Sequence, residues 1–126
     1  MARAEARAGH TIQVLREADV MWRLEGCDQP IPVGLWASTE HLTVGTMRLL
    51  PGQHTEVQAH GGDEGLYLLA GTLNVRVPDN NGQRWFELKP QDGFYLPKGT
   101  PHQYYNVSGE PVHFIFGVAP TYLLEP

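Results

Sequence analysis

Two histidines and a glutamate are the side chains in this sequence whose types and spacing could do chemistry. The first cluster reads Gln58-Ala59-His60-Gly61-Gly62-Asp63-Glu64. If residues 54–60 form a strand, alternation puts Gln58 and His60 on one face. Gly61 and Gly62 then turn the chain and Glu64 opens the next strand, so an imidazole and a carboxylate converge from neighbouring strands. The second cluster reads Pro97-Lys98-Gly99-Thr100-Pro101-His102. Pro97 and Gly99 force a tight turn, and Pro101 fixes φ just ahead of His102. His102 thus starts a strand in a defined direction, with Tyr104 and Asn106 on the same face. Two imidazoles and one carboxylate, with positions left over, match the ligand set of non-haem iron(II) sites and of open zinc sites. The competing reading is a polar mouth that holds water and no ion.

Other residues could serve such a site. Gln58 offers either an amide oxygen as a further ligand or a hydrogen bond that orients His60. Glu64 and Tyr104 are the candidates for moving protons. Tyr104 and Arg48 are the candidates for binding substrate. Arg48 lies inside an apolar run; facing inward it could hold a carboxylate or phosphate, facing outward it belongs to a sheet surface or interface. His54 shares the parity of Gln58, but four residues of extended strand separate them by about 13 Å, too far for one ion. His10, His41 and His113 have no partner pattern. Cys27 has no histidine near it in sequence and reads as an idle thiol. Asn106 and Gly99 read as structural, and Trp22, Trp36 and Trp85 as core or interface residues.

Short strands must position these groups. β-prone runs recur at 11–15, 20–24, 33–37, 42–50, 66–69, 72–77, 84–88, 94–96, 102–107 and 112–118, punctuated by 14 glycines and 10 prolines. Runs of that length and spacing predict an all-β sandwich or barrel. Asn80-Asn81-Gly82 predicts a hairpin turn between two of them, because Asn-Gly accepts positive φ. Residues 2–8 have helical composition without a broad apolar face, so residues 1–10 are expected to form a flexible arm ahead of a single domain at 11–126.

Together the two clusters resemble the paired motifs of the cupin superfamily. The first family motif is glycine, five residues, His-x-His, three or four residues, glutamate, six residues, glycine. Gly52, His60, Glu64 and Gly71 stand at those spacings, with Gln58 in place of the first histidine. The second is glycine, five residues, Pro-x-Gly, two residues, histidine, three residues, asparagine. Pro97, Gly99, His102 and Asn106 match it, with Gln91 in place of the opening glycine. The resemblance spans residues 51–106. It implies a jelly-roll barrel of the double-stranded β-helix type, and one divalent transition metal (Fe, Mn, Zn or Ni) on His60, Glu64, His102 and, where it ligates, Gln58. It also implies a homodimer. Small cupins with such a site include dioxygenases, isomerases and lyases acting on small oxygen-rich metabolites. Others only bind a small molecule or sugar.

Composition narrows the alternatives. The chain has 126 residues, 41% hydrophobic and 18% charged, enough for one domain with its own core. A net charge of −5 with no basic run argues against nucleic acid and against a membrane surface. No run approaches about 18 apolar residues, the length of a membrane span. A single cysteine cannot form an internal disulfide, and Met1–Gly9 lacks the apolar stretch of a signal peptide. A cytoplasmic location is the expectation by elimination.

Overall fold

Among the described residues nine strands, several of them burying every second residue, build two antiparallel sheets. The structure, a computed structural model, describes residues 11–27 and 29–123. In chain order the strands are β1 (Met21–Glu25), β2 (Ile31–Ser38), β3 (Thr43–Leu49), β4 (Asp63–Ala70), β5 (Leu73–Asp79), β6 (Gly82–Leu88), β7 (Gly93–Leu96), β8 (Gln103–Tyr105) and β9 (Val112–Ala119). One sheet has six strands in the order β1-β2-β3-β9-β4-β7, and the other has three, β6-β5-β8. This is the all-β barrel that the motifs imply.

The period-two pattern decides which side chains meet inside. On β4, Glu64, Leu66 and Leu68 turn inward while Asp63, Gly65 and Tyr67 face out. On β9, Val112, Phe114, Phe116 and Val118 turn inward. These residues close on Val33, Leu35, Met47 and Leu49 from the same sheet, and on Leu73, Val75, Val77 and Tyr104 from the other. Glu64 is therefore a carboxylate set into one end of an apolar core, flanked on its neighbouring strands by Leu96 and Val118.

Two expectations are corrected. The run 11–15 is not a strand: Ile12 and Val14 are exposed, β1 already forms the sheet edge, and only a 3-10 turn at Glu17–Asp19 precedes it. Residues 54–60 make no continuous strand, but two isolated bridges, His54 to Tyr105 and Gln58 to His102. Side chains interrupt the ladder there, with Thr55 Oγ1 accepting from Tyr104 N and Gln103 Nε2 donating to the Thr55 carbonyl. The Asn80-Asn81-Gly82 hairpin forms between β5 and β6 as expected, with the positive φ on Gly82, at 121°. The arm expected at residues 1–10 lies outside the described residues. None of the three tryptophans is fully buried.

Gln91 explains the glycine of the second motif. Its φ is 76°, the one left-handed non-glycine backbone among the described residues. The conformation is held by bonds on both sides, Gln91 N to the Leu68 carbonyl at 2.8 Å and Leu68 N to the Asp92 carbonyl at 3.0 Å. A side chain costs about 1–2 kcal/mol in this region, partly offset by the lower entropy of a non-glycine unfolded chain. Gln91→Gly should therefore stabilise the fold by about 0.5–1 kcal/mol. Thermal unfolding should show a melting point a few degrees higher; an unchanged or lower one would contradict the strain.

Candidate metal centre

Each ligand residue is placed by local backbone bonding. His102 and Gln58 exchange both backbone hydrogen bonds, each at 2.9 Å. Directly opposed residues of an antiparallel pair project to the same side, so the Gln58 amide stands beside the His102 ring. The turn at 97–99 is tied down twice, by Gly99 N to the His60 carbonyl at 2.9 Å and by Lys98 N to Asp63 Oδ1 at 2.8 Å. Glu64 follows on β4. Asn106 fastens the far end of β8, its Nδ2 donating to the carbonyls of Leu49 at 3.0 Å and Glu110 at 2.8 Å.

His60, Glu64 and His102 are all buried, and their ligand atoms lie within 4.8 Å of one another. Hydrogen bonding fixes which ring nitrogens face the centre. His60 Nδ1 lies 2.8 Å from the Tyr122 carbonyl, and His102 Nδ1 lies 2.8 Å from the Thr100 carbonyl. A carbonyl oxygen only accepts, so each Nδ1 carries the proton. In the neutral rings both Nε2 atoms therefore present lone pairs. They point at one oxygen, Glu64 Oε1, at 3.1 Å from His60 and 3.5 Å from His102. His60 Nε2 meets that oxygen as an ion-pair contact when its ring is protonated, while Glu64 Oε1, His102 Nε2 and Gln58 Oε1 are buried without a hydrogen bond of full geometry. Electron-rich atoms gathered in a dry place repel one another unless a cation sits among them. The donor set of two imidazole nitrogens and a carboxylate fits a borderline divalent transition ion.

The other carboxylate oxygen is accounted for. Tyr104, fully buried, donates its hydroxyl to Glu64 Oε2 at 2.5 Å. Burial and the neighbouring carboxylate push the phenol far above its ordinary value, so it stays protonated. While that bond holds, the hydroxyl orients Glu64. Arg48 does not join the group: Met47 and Leu49 occupy the inward positions of β3, so Arg48 is exposed on the outer face near His113. His54 stacks on Tyr105 with ring centroids 5.0 Å apart, and His113 pairs with Thr46 Oγ1 at 2.7 Å.

A family profile described as a cupin domain matches residues 45–118, which include every ligand residue. The chain belongs to the cupin family. No curated protein sequence matches it significantly. Among solved structures, a variant of Bacillus subtilis oxalate decarboxylase superposes with a TM-score of 0.70 at 23% identity. The match covers 92% of this cupin but 34% of that chain, so this cupin spans about a third of the decarboxylase. The polyketide cyclase RemF from Streptomyces resistomycificus gives 0.69 at 17% identity, covering 92% and 87% of the two chains. A Klebsiella pneumoniae protein described by its double-stranded β-helix domain gives 0.67 at 20%, covering 82% and 91%. At these identities the likeness shows the fold.

Sequence reasoning missed the groups around His60. Tyr122 stacks on the His60 ring at 4.4 Å, and its hydroxyl donates to Glu25 Oε1 at 2.9 Å. The Gly61-Gly62 pair was the available signal, since adjacent glycines mark a close approach of other backbone, but they do not say which segment arrives.

Burial is the largest influence on both imidazoles of this cupin and pushes both down. At His60 the Glu64 carboxylate, the Tyr122 carbonyl and Glu25 outweigh it, and the ring ends above its ordinary value. At His102 burial wins over the attraction of Glu64. A proton on His60 therefore competes with a metal from above the usual histidine range downward. Metal affinity measured by titration should fall as pH drops from about 8 to about 6; a flat profile would contradict ligation through His60. Tyr104→Phe leaves Glu64 Oε2 without its donor, at a cost of about 1–3 kcal/mol. Metal affinity in that variant should drop about 10–100-fold, readable by the same titration.

Proposed function

We propose that this cupin is a metal-dependent enzyme acting on a small oxygen-rich metabolite, with a single divalent transition metal (Fe, Mn, Zn or Ni) on His60, Glu64 and His102. The observation that carries the reading is the buried cluster of His60, Glu64 and His102, whose ligand atoms lie within 4.8 Å of one another and include Glu64 Oε1 and His102 Nε2 without hydrogen-bond partners. A bound divalent ion would supply Lewis acidity, polarising a carbonyl or stabilising an enediolate.

The protein's own groups divide the remaining work. Glu64 contributes the negative charge, and Tyr104 holds it in orientation. Gln58 presents an amide oxygen as a further ligand or as a contact to substrate. It also lines a cavity of about 220 Å³ with Ile31, Val33, Met47, Thr55 and Glu25. Its walls mix the apolar side chains of Ile31, Val33 and Met47 with the polar groups of Glu25, Thr55, Glu56 and Gln58, a lining that would suit a small polar molecule. Dioxygenase, isomerase and lyase chemistries all fit such a centre, and the fold does not choose among them. The names of two structural neighbours, an oxalate decarboxylase and a polyketide cyclase, are consistent with small oxygen-rich substrates. The full burial of all three ligands favours a second reading, a binding module for a small molecule or sugar in which the site stays closed.

We further propose a homodimer through the outer face of the six-stranded sheet. Trp22, Tyr67 and Leu69 are exposed there, beside a shallow apolar hollow lined by Trp36, Val44 and Ile115. An apolar sheet face of this kind is usually covered. The reading of a cytoplasmic protein rests on the single, exposed Cys27. No helix among the described residues is long and apolar enough to cross a membrane.

Elemental analysis of untagged protein tests the metal reading. Near-stoichiometric Fe, Mn, Zn or Ni should be present in wild type and lost in His60→Ala and His102→Ala. A wild-type chain that takes up none of these ions on reconstitution would overturn it. Turnover of small oxygen-rich compounds by the loaded protein separates the enzyme from the binding module. For the dimer, Trp36→Glu with Tyr67→Glu should yield a monomer in sedimentation velocity at concentrations where wild type is dimeric.

A further inference from the structure

The stretch that follows β9 lies beyond the residues matched to the family, yet it reaches the metal centre. Residues 119–123 cross directly over Gly61 and Gly62. A Cβ on Gly61 would lie 2.5 Å from the Leu123 carbonyl oxygen and 2.6 Å from Thr121 Cγ2, and one on Gly62 would overlap the Ala119 carbonyl. The glycine pair is what lets this strap lie flat against the site.

Tyr122 then holds His60 in two ways. Its carbonyl accepts from Nδ1, and its ring stacks on the imidazole with an interplanar angle of 25°. Its hydroxyl reaches the opposite edge of the barrel, where Glu25 Oε1 accepts it at 2.9 Å. Glu25 is fixed in turn by Arg23, whose Nη2 lies 2.5 Å from Oε2 and whose guanidinium sits 5.6 Å from the Tyr122 ring centre. Arg23 and Glu25 also lie outside the matched stretch. Glu25 lines the 220 Å³ cavity that Gln58 shares, while Arg23 and Tyr122 line a second cavity of about 290 Å³ with Leu35, Ser38 and Thr43. The Tyr122–Glu25 bond runs between the two spaces.

We propose that Tyr122 is a positioning residue for His60, and that its hydroxyl bond to Glu25 is a latch governing access to the metal centre. With the latch closed, the ring covers His60 and the ligands stay buried. With it broken, the ring leaves the imidazole, the two cavities join, and the ligands open to solvent and to a substrate. A charge-assisted bond to a carboxylate is strong enough to hold the closed state, and a single bond is simple to exchange. The inference rests on the metal reading of the site.

The test is cobalt(II) release from loaded protein to excess EDTA, followed by the visible absorption of the bound ion. Tyr122→Phe keeps the ring and the carbonyl and removes only the donor; Glu25→Ala removes the acceptor. Each should speed release at least about fivefold, equivalent to about 1 kcal/mol. The double variant should be no faster than the faster single, because both changes break one bond. Glu25→Gln, which retains an accepting oxygen, should restore a rate near wild type. Merely structural damage would not produce that non-additivity and rescue. Unchanged rates in folded, cobalt-binding variants, or additive effects, would overturn the latch. If Glu25→Ala fails to fold, Tyr122→Phe against Glu25→Gln decides the same point. A wild-type chain that binds no cobalt would overturn the metal reading and this inference together, whereas cobalt uptake with unchanged release overturns only the latch.

Discussion

Two backbone carbonyls determine the chemistry of this protein. The carbonyls of Tyr122 and Thr100 each accept a hydrogen bond from the Nδ1–H of a buried histidine, so that in the neutral rings both Nε2 lone pairs face a buried carboxylate oxygen. Burial makes that arrangement costly for the folded chain and favourable for a cation. A single water could donate to only two of these acceptors and would leave the others unmet. The tautomers, more than the residue types, make the site one that could hold a metal ion.

The rest of the barrel keeps these three atoms in place. Alternation along β4 sends Glu64 inward at the polar end of a strand whose other inward positions are Leu66 and Leu68. Tyr104 extends from the opposing sheet to hold the second carboxylate oxygen, so a short polar contact joins the two sheets across the core. The reciprocal bridge of Gln58 and His102 brings the amide to the same side as the ring. Each ligand is thus supported by an element other than its own.

Much of this was legible in the sequence. The all-β class and the hairpin follow from alternating apolar runs and turn residues, and the candidate ligands from two spaced motifs. What escaped was non-local. Nothing near Tyr122 in sequence announces that it will cover His60 from 62 residues away. The orienting bond from Tyr104 joins residues 40 apart. Arg48 sits in a run of apolar residues, and its outward direction became fixed only when Met47 and Leu49 took the inward positions. The irregular segment 54–60 was read as a strand because alternation says nothing of side chains that take over ladder bonds, as Thr55 and Gln103 do.

The most direct measurement of the central claim is long-range proton–nitrogen NMR of the imidazoles, in metal-free protein above the histidine titration range and again after adding zinc. Both His60 and His102 should show protonated Nδ1 and bare Nε2 without metal, and zinc should shift the two Nε2 resonances while leaving Nδ1 protonated. A proton on Nε2 of either ring, or Nε2 resonances indifferent to zinc, would contradict a centre built by those two carbonyls to receive a cation.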